Sequence, residues 1–182
     1  ASDGGVMLWE AGTGRLLQNI KGNAVGGFTP NGKTIISYQH ESDSTGAIQL
    51  IDLLSGKVLD SLDGYSINFN KAGDKALIST SQRTIKYWDY KTKKTIFELK
   101  GVLGVFLQDE RYMLIVTDSH RNEVGVFSNY SYVFNVWDLN ANKIVQTYKG
   151  HLAGFSNKYI CVAEEDQLQF INTISGDTVY HF

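Results

Sequence analysis

Short runs in which apolar and polar residues alternate recur along the whole chain. Thr84-Ile85-Lys86-Tyr87-Trp88-Asp89 alternates with the period of two expected of a half-buried strand. A polar turn, Tyr90-Lys91-Thr92-Lys93-Lys94, leads into a second alternating run, Thr95-Ile96-Phe97-Glu98-Leu99, closed by Lys100-Gly101. Strand, polar turn and strand predict a hairpin. Four more copies line up with it: Val6 to Glu10 returning as Leu16 to Gly22, Ile48 to Asp52 as Val58 to Gly64, Phe134 to Asp138 as Ile144 to Gly150, and Leu168 to Asn172 as Thr178 to Phe182. Between positions 9, 51, 88, 137 and 171 the spacings are 42, 37, 49 and 34 residues. A period of roughly 40 residues built from short strands predicts propeller blades rather than helical repeats.

Ahead of each hairpin after the first lies another pair of apolar runs. Ala24 to Phe28 and Thr34 to Tyr38 flank Pro30-Asn31-Gly32, and Tyr65 to Phe69 and Ala76 to Thr80 flank Lys71 to Asp74. Val102 to Leu107 and Tyr112 to Thr117 flank Asp109-Glu110-Arg111, and Leu152 to Ser156 and Tyr159 to Ala163 flank Asn157-Lys158. The expected organisation is a half blade over residues 1–22 and four-stranded antiparallel blades over 23–63, 64–100, 101–149 and 150–182, eighteen strands in one repetitive domain.

These residues resemble the WD-repeat β-propeller family. The resemblance rests on Trp88-Asp89 and Trp137-Asp138, on the weakened pairs Trp9-Glu10 and Ile51-Asp52, on Gly150-His151, and on the turn Phe28-Thr29-Pro30-Asn31-Gly32-Lys33. It implies an all-β propeller and a non-catalytic protein-interaction scaffold or sensor. The family's buried His, Ser/Thr, Asp and Trp set is incomplete in every blade. Its Asp, six residues before the Trp, is present only as Asp3; Thr45, Gln82, Ser131 and Glu165 stand elsewhere. Trp88 and Trp137 are therefore expected to act as large apolar anchors. The alternative reading is a quinoprotein-like or other propeller enzyme or ligand-binding domain with its site at the central channel, and a third is a sensor or spacer module. The unmatched first hairpin suggests the C-terminal part of a larger propeller, or a ring completed by another chain, with edge-mediated self-association as a corollary.

Composition adds limits. Among 182 residues there are eighteen glycines, one proline and 12% aromatics, with a net charge of −2, which suits β-structure and offers no broad basic footprint for nucleic acid or anionic lipid. No apolar run approaches the ~20 residues of a membrane-spanning helix. The lone Cys161 fits a reducing compartment, so a cytoplasmic location is expected, with Cys161 itself a small core residue. No histidine shows ligand spacing with it, Glu164-Glu165-Asp166 reads as a solvated turn, and no cofactor, metal or catalytic constellation is expected.

Two connections between second and third strands are long: residues 39–46 and 118–130. Both are expected to be loops, and per-repeat insertions of this kind mark a binding side. The candidate partner-binding residues are His40, Glu41 and Asp43 in the first, and His120, Arg121, Phe127 and Tyr130 in the second, whose aromatic and Arg content is typical of interface hot spots.

Overall fold

The computed structural model describes residues 6–20, 25–40, 46–107, 110–124, 127–156, 158–164, 167–173 and 175–181. Every regular element among them is a β-strand. The chain divides into two compact units, 1–98 and 99–182.

The first unit opens on a two-stranded sheet of β1 (Val6–Trp9) and β2 (Leu16–Ile20). Next comes a four-stranded antiparallel meander, β3 (Val25–Phe28), β4 (Thr34–His40), β5 (Gly46–Asp52) and β6 (Val58–Asp63). A second meander is β7 (Ser66–Phe69), β8 (Lys75–Ser79), β9 (Thr84–Asp89) and β10 (Lys94–Lys100), the last crossing into the second unit. Second strands are buried on both faces: Thr34 to Ser37 and Ala76 to Thr80 are buried without a break. Such runs need a sheet on either side. Ile36, Ile48 and Leu50 of one meander accordingly share a core cluster with Ile67, Ala76, Ile78 and Trp88 of the next, with Tyr38, Leu62, Phe69 and Tyr90 packed around it. Trp88, 4% exposed, is an apolar anchor as expected, with Tyr90 edge-on at 5.8 Å and the Lys93 ammonium 5.1 Å from its ring. Trp9, by contrast, is 54% exposed on the two-stranded sheet.

The second unit carries one seven-stranded antiparallel sheet: β11 (Leu103–Phe106), β12 (Tyr112–Val124), β13 (Phe127–Asp138), β14 (Lys143–Phe155), β15 (Tyr159–Glu164), β16 (Gln167–Asn172) and β17 (Thr178–His181). Its core joins Val105, Leu107, Leu114, Val116, Phe134 and Val136 to Ile160, Val162 and Ile171. The expected eighteen strands become seventeen because two of them are continuous. β14 pairs with β13 as far as Gly150, opposite Tyr132, and changes partner at the next residue, where His151 faces Ala163 of β15.

The change of partner is made by a glycine in both units. Gly64 donates to Gly46 O while its neighbour Tyr65 donates to Ser79 O in the adjoining sheet. Gly64 has φ 156° and Gly150 φ 142°. A Cβ at Gly64 would lie 2.8 Å from both Ile78 Cγ2 and Ser79 O, and one at Gly150 2.4 Å from Val162 Cγ1. Neither the conformation nor the space admits a side chain.

The opposite chemistry rules the turn between third and fourth strands, where side chains supply the hydrogen bonds. Asp52 Oδ1 accepts from Ser55 N (2.7 Å), Asp89 Oδ1 from Thr92 N (2.8 Å), Asp138 Oδ1 from Asn140 N (2.9 Å) and Ala141 N (3.1 Å), and Asn172 Oδ1 from Ser175 N (3.1 Å). The residue four beyond each cap is left-handed, whether glycine (Gly56, Gly176) or not (Lys93, φ 58°; Asn142, φ 50°). A backbone bond ties this turn to the one between first and second strands in all four full repeats: Leu53 N to Lys33 O, Tyr90 N to Asp74 O, Leu139 N to Arg111 O, Thr173 N to Lys158 O. The Asp of each Trp-Asp or Ile-Asp pair is thus a turn cap.

Gly64→Ala and Gly150→Ala are each expected to cost about 2 kcal/mol or more, strain and overpacking acting together. Gly12→Ala, with nothing within 4 Å of its Cβ, should leave stability near wild type. Urea melts of the three variants check this.

Candidate interaction surface

The 118–130 segment is not a loop. β12 and β13 continue as a paired ladder through Ser119↔Tyr132, His120↔Ser131, Arg121↔Tyr130, Asn122↔Asn129 and Glu123↔Ser128 to Val124↔Phe127, leaving two residues between the strands. The polar composition that reads as a loop belongs to a paired two-stranded ribbon. β11 stops pairing with β12 at Leu103↔Val116 and β14 stops pairing with β13 at Tyr132↔Gly150. Among the described residues, five cross-strand pairs, from His120↔Ser131 to Val124↔Phe127, therefore run beyond both flanking strands. At roughly 3.3 Å per residue the ribbon extends about 15 Å past the sheet.

Its base is braced. The ladder shifts between Val116 and Asp118, so Thr117 is the extra residue of a β-bulge. Bulges bend a strand and re-aim the residues beyond them. Side chains across three strands hold this one: Asn135 Nδ2 donates to Thr117 Oγ1 (2.9 Å), and Thr147 Oγ1 donates to Asn135 Oδ1 (2.7 Å). Asn135 is 6% exposed, so both ends of its amide are engaged where water cannot replace their partners.

At the foot of the ribbon Val102, Leu103, Val116, Tyr132 and Phe134 line an apolar pocket of about 250 Å³. Val116 immediately precedes the bulge and Tyr132 ends the ribbon, with the Tyr132 and Phe134 rings 6.1 Å apart. Sequence reasoning missed this pocket, because Val102 and Leu103 read there only as the start of a strand and Phe134 as part of another. The signal was available in the aromatic pair Tyr132 and Phe134 at spacing two, next to the long connection.

Of the expected site residues, His120, Arg121, Phe127 and Tyr130 fall on the ribbon, where Arg121 and Tyr130 stand directly opposite one another in the ladder. The first connection is shorter than expected: β4 runs to His40, paired with Gly46 of β5, and Gln39 pairs with Ala47. Glu41 and Asp43 lie outside the described residues. The structure thus places His40 at the end of β4, where the second-to-third-strand connection of its own sheet begins. Cys161 in β15 is half-buried rather than core, lining a shallow pocket with Phe155, Tyr159 and Phe170.

The strongest electrostatics lie at the other end of the same strands. Arg111 reaches Asp138 Oδ2 through Nη2 (2.6 Å) and Nε (3.1 Å). That pairing, with the N–H groups of Ala141 and Asn140, holds the Asp138 carboxyl down to about 2 against the opposing effect of burial. Asp89 is likewise held to about 2, first by the Thr92 N–H and then by Lys75. These carboxylates are committed to turns and cations of their own sheets. Among the described residues no group of three or more His, Cys, Asp or Glu is placed to hold a metal ion.

No known family profile matches the chain. It is 25% identical over 115 residues to U3 small nucleolar RNA-associated protein 12 of Saccharomyces cerevisiae, a WD-repeat protein, covering 59% of this chain and 12% of that one. The chain thus spans about an eighth of that relative's length. Its structure is similar to a WD-repeat propeller in a crystal structure of the mitotic checkpoint complex, with a TM-score of 0.65, 13% identity, 98% of this chain covered and 58% of the other.

Asn135→Ala should cost about 1–3 kcal/mol, since it removes a buried amide and both of its hydrogen bonds to Thr117 and Thr147, and should lower amide-exchange protection along 119–131. Asp138→Asn keeps an oxygen for the Asn140 and Ala141 N–H groups but loses the Arg111 pairing. A depressed carboxyl stabilises the fold above its unfolded value, and that contribution is lost as pH falls from 3.8 towards about 2. The wild type should lose stability over that window, and the variant should show a shallower acid limb in pH-dependent thermal melts.

The repeating four-stranded sheets, the capped turns and the structural likeness are those of a β-propeller, and the likeness in sequence is to a WD-repeat protein.

Proposed function

We propose that this chain is a non-catalytic protein-interaction platform whose docking element is the β12–β13 ribbon with the apolar pocket at its foot. One observation carries the reading: in a fold of regular meanders, one hairpin runs past both neighbouring strands and is held there by a bulge with a buried hydrogen-bonded brace. A two-stranded ribbon is marginal in water on its own, and a brace of this kind is expected of a recognition element. A partner would place an apolar side chain against Val102, Leu103 and Tyr132 and lie along His120, Arg121, Phe127 and Tyr130. His40, Glu41 and Asp43 form a second, smaller contact in the first unit.

Two further points support a scaffold over an enzyme. The turn-capping Asp52, Asp89, Asp138 and Asn172 are each engaged by N–H donors or cations of their own sheets. The similar propeller chain, moreover, comes from a multi-protein complex. Protein is the partner class proposed, rather than nucleic acid or membrane, in a cytoplasmic setting suited to the single free Cys161.

Replacing residues 119–130 with a two-residue turn tests the proposal. The expected result is an unchanged thermal melt and the loss of a partner that the intact chain captures and that rebinds the intact chain after purification, measured by calorimetry. A partner profile and affinity identical to those of the intact chain would overturn it.

A further inference from the structure

We infer that the exposed edge of β12 pairs two copies of this chain, antiparallel and centred on Asn122. This rests on reading the ribbon as a docking element and names one occupant for it. From Asp118 to Val124 the β11 side of β12 has no neighbouring strand among the described residues, and a strand edge of this kind can take an added strand. The residues along that edge, Asp118-Ser119-His120-Arg121-Asn122-Glu123-Val124, say which strand fits.

When an edge pairs with its own copy about a two-fold axis, the residue on the axis faces itself and its neighbours face each other. With Asn122 on the axis, Arg121 of each copy stands opposite Glu123 of the other, so two opposite-charge pairs form at once. Asn122 faces Asn122, and His120 faces Val124. Moving the axis to Arg121 sets Arg against Arg. Moving it to Glu123 sets Glu against Glu. Directly opposed unlike charges stabilise a ladder and like charges destabilise it, so the charge order selects a single register. The β13 edge, Phe127 to Ser131, carries no charge and selects none.

Sedimentation equilibrium of the whole chain over a concentration series tests the inference with charge swaps. The wild type should dimerise. Arg121→Glu places Glu against Glu twice, and Glu123→Arg places Arg against Arg twice; each should weaken the dimer about tenfold or more. An equimolar mixture of the two variants restores both unlike pairs and should form a heterodimer. The double swap, R121E with E123R, should dimerise as the wild type does. Matching thermal melts establish that every variant is folded. A wild type that stays monomeric, a dimer indifferent to the single swaps, or a mixture that fails to reassociate would each overturn the inference. None of these would remove the partner binding tested by ribbon truncation, so the two readings fail separately.

Discussion

Two-sided burial of the second strand in the first three full repeats is the constraint on which everything else rests. Ile35 and Ile36, Leu77 and Ile78, and Met113 through Val116 are consecutive and buried, so their side chains fill both faces of their sheets. A sheet of this kind is unstable unless another covers it, and sequential meanders supply the cover because each leads at once into the next. The glycines at 64 and 150 are a consequence. Where the chain leaves one sheet for the next its backbone passes so close to the neighbouring second strand that a methyl group has no room. The connection is tightest in the second unit, where β14 serves both sheets without a break.

The same constraint explains the divergence at the Trp positions. Aliphatic side chains carry most of the buried core, and an Ile at 51 or 171 serves as well as a Trp. The Asp next to it is harder to replace, since it answers specific N–H donors; Asn172 keeps the geometry with an amide oxygen in place of a carboxylate. Turn chemistry is therefore more regular along this chain than the aromatic half of its motif. Left-handed Lys93 and Asn142 show that the turn geometry prevails even where glycine is absent.

Two-sided burial also decides how much of the structure was legible in the residues. Alternation, period and turn residues report local physics, and they located the four-stranded sheets and the buried Trp88. The ribbon was illegible for a different reason: its residues carry no apolar alternation to report, and the bulge at Thr117 breaks the phase between its base and its tip. Trp9 stands at the motif position of Trp88, yet on the two-stranded sheet of β1 and β2 it is exposed. The pocket beneath the ribbon was hidden because Val102 and Leu103 have the character of an inner strand, and only the extent of β11 leaves them uncovered.

Within one repeat, then, the two ends of the strands answer to different demands. At the capped end the turn N–H groups are met by the repeat's own side chains, and the two turns are stitched to each other by a backbone bond in all four full repeats. That end is closed chemistry, and its regularity is a folding requirement. At the ribbon end of β12 and β13 the backbone continues past its neighbours with edges no described strand satisfies. The brace of Thr117, Asn135 and Thr147 lies between these two regimes, at the boundary where the fold stops determining the chain. A buried amide satisfied at both ends fixes the bulge rigidly, and the bulge sets the direction in which the strands beyond it run.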